Sequence, residues 1–519
     1  MIEGGVNPLL SRHAGQSRAV ILALLLDQCA YAVLEYRGGD QQTEKRAQTE
    51  AEETRQAPVV NAKSNGMDSR ALGVRRIIDR IIRLFGNAIL IYHSCKAIMP
   101  ALSTLTKNHS VRELLLINIS GHDKPAVTST VSSILSEHGA NILDIGQAVI
   151  HDTLSLGMLV GVPQGVDSAP MIERITAAMD KMDMRVRFNP ITENSYADWV
   201  SQQGKQRHII TLLARRITAE QIAALTEVVA RHGLNIDNIS RLSGRVALDH
   251  VDEKSKACVE FSARGTPADI TRLHADFTEL TSRLDVDIAF QEDNMYRRTR
   301  RLVCFDMDST LIEAEVIDEL AKAAGVGEQV IAITEAAMRG ELDFKQSFTQ
   351  RMALLKGLDE AILEEIAARL PITEGAEHLL TTLKSLGYKT AILSGGFNYF
   401  GYYLQKKLGV DYVYANDLEV VDGKVTGRVC GDVVDGQRKA ELLRELAAKE
   451  NIRLEQVVAV GDGANDLPML SIAGLGIAFR AKPLVKAEAK QSISTLGLDA
   501  ILYLMGFRDR EIRQYTGDK

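Results

Sequence analysis

The stretch Arg301-Leu302-Val303-Cys304-Phe305-Asp306-Met307-Asp308-Ser309-Thr310-Leu311 decides how the rest of this chain is read. Residues 301–305 have the make-up of a short buried strand, and they run directly into two carboxylates. Side chains two apart on an extended backbone face the same way, so Asp306 and Asp308 begin on one side of the strand's end. Two carboxylates so close repel each other and are costly to desolvate unless a cation lies between them. In parallel α/β sheets the carboxyl end of a strand is where ligands bind. Taken alone the string also reads as a helix cap or a solvated loop. Cys304 lies inside the apolar pattern, which fits a packed core thiol better than a nucleophile.

Three segments further along change the balance. Residues 389–393 form a strand pattern ending in Ser394-Gly395-Gly396, a hydroxyl beside two bare backbone amides that phosphate oxygens can approach closely. Residues 457–460 form another, opening into Gly461-Asp462-Gly463-Ala464-Asn465-Asp466, which sets more carboxylates at a strand end. Lys439 lies on a helical pattern with Leu442, Leu443 and Leu446, where a lone lysine would ordinarily face solvent. Residues 316–370 have helical periodicity and suit a lid that excludes water and carries specificity. Around it, Glu315 suits an ammonium, Arg351 a carboxylate, and Met338 with Phe344 an apolar wall, a set matched to a small zwitterion. Each of the four, by itself, is also ordinary packing or surface charge.

Upstream the sequence repeats itself. His138-Gly139-Ala140-Asn141-Ile142 returns as His232-Gly233-Leu234-Asn235-Ile236. Each copy opens on an apolar strand (114–119; 209–213), passes through a helix ending near that His-Gly, and continues with an extended stretch, a strand (156–162; 258–263), a second helix and a last strand. Thr218 with Gln221 forms a capping box that starts the first helix of the second copy. A βαββαβ order implies an antiparallel sheet with both helices on one face.

At 519 residues the chain exceeds what one hydrophobic core requires, so about three or four domains are expected. The net charge of -7 leaves no basic footprint for nucleic acid or anionic lipid, so a small anion has to be held by local positive charge and metal. The five cysteines (Cys29, Cys95, Cys258, Cys304, Cys430) show no zinc-ligand or redox spacing, which fits the cytoplasm. No stretch is long and apolar enough to span a bilayer; residues 19–26 and 85–99 come nearest and read as short helices or extension. Residues 41–56 are charged and glutamine-rich with little to bury, and 74–84 suit an amphipathic helix. The composition change beside Met99 marks that methionine as an expected natural start.

Residues 111–292 resemble paired ACT domains, modules that bind amino acids and regulate metabolic enzymes. Gly121-His122-Asp123-Lys124-Pro125-Ala126 is similar to that family's ligand loop, except that Ala126 stands where glycine is usual; residues 214–219 lack the loop. The resemblance implies an amino-acid effector at the first copy, with a structural or dimerising role open beside it and a homodimer as the expected assembly. Residues 301–501 resemble the haloacid dehalogenase superfamily of phosphotransferases. By position, Asp306 then corresponds to the nucleophile and Asp308 to the acid and base. Ser394, Gly395, Ser309 and Lys439 correspond to the phosphate clamp. Mg2+ would be held by Asp306, Asp308 (through its carbonyl) and Asp462, with Asp466 and Asn465 orienting it.

Glu315, the string Met338-Arg339-Gly340-Glu341-Leu342-Asp343-Phe344, and Arg351 narrow the resemblance to the phosphoserine phosphatases. That implies hydrolysis of O-phospho-L-serine through an aspartyl-phosphate, the last step of serine biosynthesis; transfer to another alcohol such as homoserine uses the same intermediate and stays open. The expected fold is α/β, a Rossmann-like parallel-sheet core with a helical cap (about 316–370) within 300–507. It is preceded by two α+β βαββαβ (ferredoxin-like) domains at 111–195 and 205–292 and a poorly patterned extension at 1–110.

Overall fold

Strand β1 (Val111–His122) alternates from Leu115 onward: Leu115, Ile117 and Ile119 are buried while Asn118 and Ser120 are exposed. Period-two burial commits one face of a sheet to the interior and leaves the other to solvent. The buried face meets α1 (Val127–Glu137) through Val127, Val131, Ile134 and Leu135, and α2 (Ala169–Lys181) through Met171, Ile175 and Met179. With β2 (Asn141–Ile150), β3 (Thr153–Pro163) and β4 (Met184–Ile191), β1 forms an antiparallel sheet of order β2-β3-β1-β4, followed by α3 (Glu193–Ser201). This is a computed structural model, and it describes residues 111–202, 204–245, 255–338 and 341–516. The expectations for residues 19–26, 41–56, 74–84, 85–99 and the start at Met99 lie outside the described residues.

Residues 202–516 form a second unit. Its first part repeats the βαββαβ plan: β5 (Arg207–Ala214), α4 (Ala219–Arg231), β6 (Asn235–Arg241), β7 (Ala257–Arg264), α5 (Ile270–Leu284) and β8 (Asp287–Glu292), in sheet order β6-β7-β5-β8. The capping box read from Thr218 and Gln221 is present at the start of α4, with both reciprocal bonds made.

The remainder is a seven-stranded sheet of order β12-β11-β10-β9-β13-β14-β15. It comprises β9 (Leu302–Phe305), β10 (Lys389–Phe397), β11 (Tyr412–Val421), β12 (Lys424–Cys430), β13 (Val457–Gly461), β14 (Leu475–Phe479) and β15 (Gln491–Ile493). All neighbours are parallel except β11 and β12. Every residue of β9 is buried, Cys304 included, as a central parallel strand covered on both faces requires. After β9 the chain builds β10 to β12 on one side and then returns to place β13 on the other. The reversal opens a crevice at the carboxyl end of β9. Four helices, α6 (Val316–Ala324), α7 (Gly327–Met338), α8 (Phe344–Leu354) and α9 (Ala361–Arg369), form the cap between β9 and β10, while α10 (Ala376–Ser385) precedes β10 and α11 (Asn398–Leu408) follows it. Among the described residues no helix is long and apolar enough to cross a membrane.

Candidate active site

Three strand ends meet in the crevice. The backbone N–H of Asp306 donates to the carbonyl of Val460 (2.9 Å), so the ends of β9 and β13 are fastened together. Past Asp306 the chain does not continue as a strand. Residues Met307–Leu311 wind into a kinked turn in which Asp308 stays extended and Ser309 takes a left-handed φ of 55°. That turn parts the two carboxylates. Asp306 Oδ1 accepts from the N–H of Met307 (2.7 Å), whereas Asp308 Oδ1 accepts from the N–H of Val316 (3.1 Å) at the start of the cap.

Beside them, the β10 backbone passes Leu393 with a break in register before Phe397. The Ser394-Gly395-Gly396 segment, expected to follow the strand, thus lies within its irregular end. The hydroxyl of Ser394, fully buried, accepts from the N–H of Gly396 (2.9 Å). A Cβ on Gly396 would stand 2.6 Å from Asp308 Oδ2, a separation that only glycine permits. Asn416 on β11 steadies this segment, donating to the carbonyl of Gly395 (2.8 Å) and accepting from the N–H of Val434 (2.8 Å).

Lys439 enters from α12 (Gly436–Lys449), whose start is capped by Asp435. None of its surface is exposed, and its ammonium lies 2.8 Å from Asp306 Oδ2 and 2.7 Å from Asp466 Oδ1. A buried ammonium persists only when paired this closely. Burial works against its charge, yet Asp306 and Asp466 outweigh that and hold its pKa above the ordinary lysine value. Asp466 is completed by the N–H of Gly463 (3.0 Å), and the backbone of Asn465 rests against Gly436 at the start of α12. Asp462 accepts from the Thr310 hydroxyl (3.4 Å).

Carboxylates outnumber the cation. Oxygens of Asp306, Asp462 and Asp466 lie within 4.8 Å of one another. Burial first, then repulsion from Asp306 and Asp466, pushes Asp462 up to about 8; burial and Asp306 push Asp466 to about 7. Asp308 is raised well above the carboxylate range by burial, Glu315 and Asp306 in that order. An all-oxygen cluster with this surplus of negative charge fits a hard divalent cation, whose binding would relieve the repulsion.

On the cap side, Glu315 accepts from the Ser309 hydroxyl (2.7 Å), and burial followed by Asp306 and Asp318 raises its pKa. Arg351 is half-buried on α8; its Nε is sealed from solvent without a hydrogen-bond partner among the described residues, and burial lowers its pKa against the pull of Glu315, Asp318 and Asp308. A guanidinium N–H buried without a partner, in the field of these carboxylates, is a group that an anionic ligand could satisfy. Met338 ends α7 and Phe344 begins α8; their side chains lie outside the described residues.

Thr310 and Asn416 were missed from sequence. Thr310 stands inside the quoted string and was legible there. Asn416 carries no local signal, because its role arises from β11 lying beside β10.

In the first unit, Ala126 has a φ of 73°, which explains why glycine is the usual residue at that place in the loop. A cavity of about 610 Å³ beside the loop is lined by Gly121, His122, Asp152, Asp183 and Arg185 among others.

Comparison with known proteins agrees with this architecture. Residues 303–471 match the haloacid dehalogenase-like hydrolases, and residues 113–189 and 206–291 each match an ACT domain. The chain is 39% identical over 399 residues to phosphoserine phosphatase SerB2 of Mycobacterium tuberculosis, an alignment covering 77% of this chain and 94% of that protein. It is equally similar, 39% over 399 residues, to a phosphoserine phosphatase of Streptomyces coelicolor, covering 77% of this chain and 93% of the other. A crystal structure of a haloacid dehalogenase family hydrolase from Salmonella enterica serovar Typhi superposes with a TM-score of 0.50 at 31% identity, covering 57% of this chain and 98% of that one.

Proposed function

The chain belongs to the phosphoserine phosphatases of the haloacid dehalogenase-like hydrolases, and on that membership we propose that it hydrolyses O-phospho-L-serine to L-serine and phosphate, the last step of serine biosynthesis, through a phosphoryl group carried on Asp306. The observation that carries this reading is Lys439, wholly buried and bonded to both Asp306 and Asp466 at the sheet's switch point. Its ammonium sets positive charge against Asp306 where an anion would approach. The Asp306 carboxylate attacks phosphorus, forming an acyl phosphate while the ester P–O bond breaks. The serine oxygen leaves with a proton from Asp308, whose carboxyl is raised well above the ordinary carboxylate range by burial, Glu315 and Asp306. Water then attacks the acyl phosphate, Asp308 recovers the proton, and Asp306 is released.

Ser394, Gly395, Ser309 and Lys439 hold the phosphoryl oxygens in this reading. Arg351 pairs with the substrate carboxylate and Glu315 with its ammonium, with Met338 and Phe344 as the wall. Asp306, Asp462 and the carbonyl of Asp308 would hold Mg2+, with Asp466 and Asn465 orienting it; bound there, the cation offsets charge on the phosphoryl oxygens. An amino-acid effector belongs beside residues 121–126, and two copies are expected to associate. With these assignments go the proposed domain limits: 111–195 and 205–292 for the two βαββαβ domains and 300–507 for the phosphatase domain, after an extension at 1–110.

The test is phosphate release from L-phosphoserine by the full chain, first with Mg2+ and then with a chelator. Turnover that chelation removes and Mg2+ restores supports the reading. Turnover indifferent to chelation removes the metal assignment, and absence of turnover with Mg2+ removes the substrate.

A further inference from the structure

The cap has two covalent connections to the core; the second βαββαβ module grips the returning one directly, and a core arginine links that grip to the entering one. The chain enters the cap through residues 311–315 and returns through 370–373. These segments run antiparallel: the N–H of Glu313 donates to Pro371 (2.9 Å), that of Thr373 to Leu311 (3.0 Å), and Ile312 bridges Ile372. Rotation of the cap against the core has to twist this ribbon. A carboxylate stands on each side of it, Glu313 on the way in and Glu374 on the way out. Arg480, just past β14, spans them, with Nη1 2.8 Å from Glu313 Oε1 and Nη2 3.0 Å from Glu374 Oε2. Glu374 is gripped again by Arg215, immediately after β5, in a two-pronged pair: Nη1 to Oε1 and Nη2 to Oε2, both 2.8 Å.

Several features mark this network as built into the fold. Arg480 holds a left-handed φ of 44°, its N–H donates to Ile493 (2.7 Å), and its guanidinium lies over the ring of Phe479, 5.3 Å from the centroid. A non-glycine residue stays in that conformation only where its surroundings over-determine it. Arg215, Glu374 and Arg480 are each only about one-third exposed (31%, 30% and 33%), so solvent screens them less than a surface pair. Arg215 also occupies the segment that in the first copy is the Gly121–Ala126 loop. The second copy has no such loop, and its arginine reaches the core instead.

We propose that Arg215 and Arg480 are positioning residues for the cap: acting through Glu374 and Glu313, they hold the hinge ribbon at the angle that presents Glu315 and Arg351 to the substrate. Glu315 is two residues beyond Glu313 on the same connecting segment, immediately before α6, so a twist of the ribbon is transmitted to it through the backbone. The second module thereby bears on substrate recognition without touching the substrate. For its kinetic readout only, this inference rests on the phosphoserine reading above.

The test uses the full chain and the variants Arg215→Gln, Arg480→Gln and Arg215→Lys, each checked for an intact thermal unfolding transition. Amide hydrogen exchange at Glu313 and Thr373 is measured without substrate, and KM and kcat are measured for phosphoserine and for phenyl phosphate, which has neither ammonium nor carboxylate. The expected result is faster exchange at both hinge amides in the glutamine variants and partial recovery in Arg215→Lys. KM for phosphoserine should rise roughly 3- to 10-fold, within the range such coupling networks carry, while phenyl phosphate turnover changes less than about twofold. Hinge exchange equal to wild type in Arg215→Gln overturns the proposal, as does an equal loss with both substrates. If Arg480→Gln does not fold, the Arg215 pair decides. If the wild-type chain leaves phosphoserine intact, the functional reading fails and the exchange measurement still judges the hinge.

Discussion

Lys439 has no exposed surface and bonds two carboxylates, Asp306 and Asp466, either of which gives its buried charge a close partner. Replacing Asp306 with Asn leaves Asp466 as a partner and keeps the shape of the site. Asp306→Asn is therefore expected to fold, by circular dichroism, while kcat falls on the order of 10⁴-fold or more, as when an essential nucleophile is lost; near-normal turnover would dismiss Asp306 as nucleophile. Arg351 has a buried Nε still seeking an acceptor. Arg351→Ala should raise KM for phosphoserine about 10- to 100-fold, the worth of a charge-assisted bond, and an unchanged KM would place the substrate carboxylate elsewhere. In the first unit, Ala126 sits in the left-handed region. Ala126→Gly should stabilise that unit by about 1 kcal/mol in denaturant unfolding, and a loss of stability would contradict the strain.

At the scale of elements, the site depends on strands that stop being regular where chemistry begins. β9 ends in the kinked Met307–Leu311 turn, and β10 loses register after Leu393. Helices meet the site at their starts. α12 is capped by Asp435, whose carboxylate accepts from Arg438 N–H (2.9 Å), and this fixes the first turn from which Lys439 projects. α8, which carries Arg351, begins at a capping box between Asp343 and Gln346 (2.8 and 3.1 Å). Asp343→Ala removes that cap at a local cost of about 1 kcal/mol. The first turn of α8 should then exchange its amides faster and KM should rise more than kcat falls; unchanged protection there would show that cap packing alone holds the helix.

Across the whole second unit, the βαββαβ module and the phosphatase core share a polar seam. Gln491 of β15 exchanges two hydrogen bonds with the backbone of Phe290 in β8, imitating one more strand pairing (2.9 and 2.5 Å). Asp287 accepts from the N–H groups of Ser494 and Thr495 and from the Thr495 hydroxyl. Glu374 ties Arg215 to Arg480, and its carboxyl is held below the ordinary 4.5, chiefly by the Arg215 hydrogen bonds. A lowered folded pKa means that the unfolded chain takes up protons first as pH falls. The contribution is thus complete above about 4.5 and is lost as pH falls through the lowered value. Wild type should exceed Glu374→Gln by about 0.5–1 kcal/mol at neutral pH, and the gap should close below pH 4.5; a gap independent of pH would mean that the carboxylate's charge is not what stabilises the seam. Much of this molecule was legible before folding was considered. Period-two and helical patterns reported the strands, the Thr218 cap and the repeat, and the strings at Asp306, Ser394 and Asp462 reported the polar strand ends that form the candidate site, because each depends on neighbours within a few residues. Asn416 beneath Gly395, the double grip on Lys439 and the Arg215–Glu374–Arg480–Glu313 chain were decided only by tertiary structure. Each joins residues far apart in the chain, where sequence records both partners but not their meeting, and only the stacking order of strands sets the distance between them.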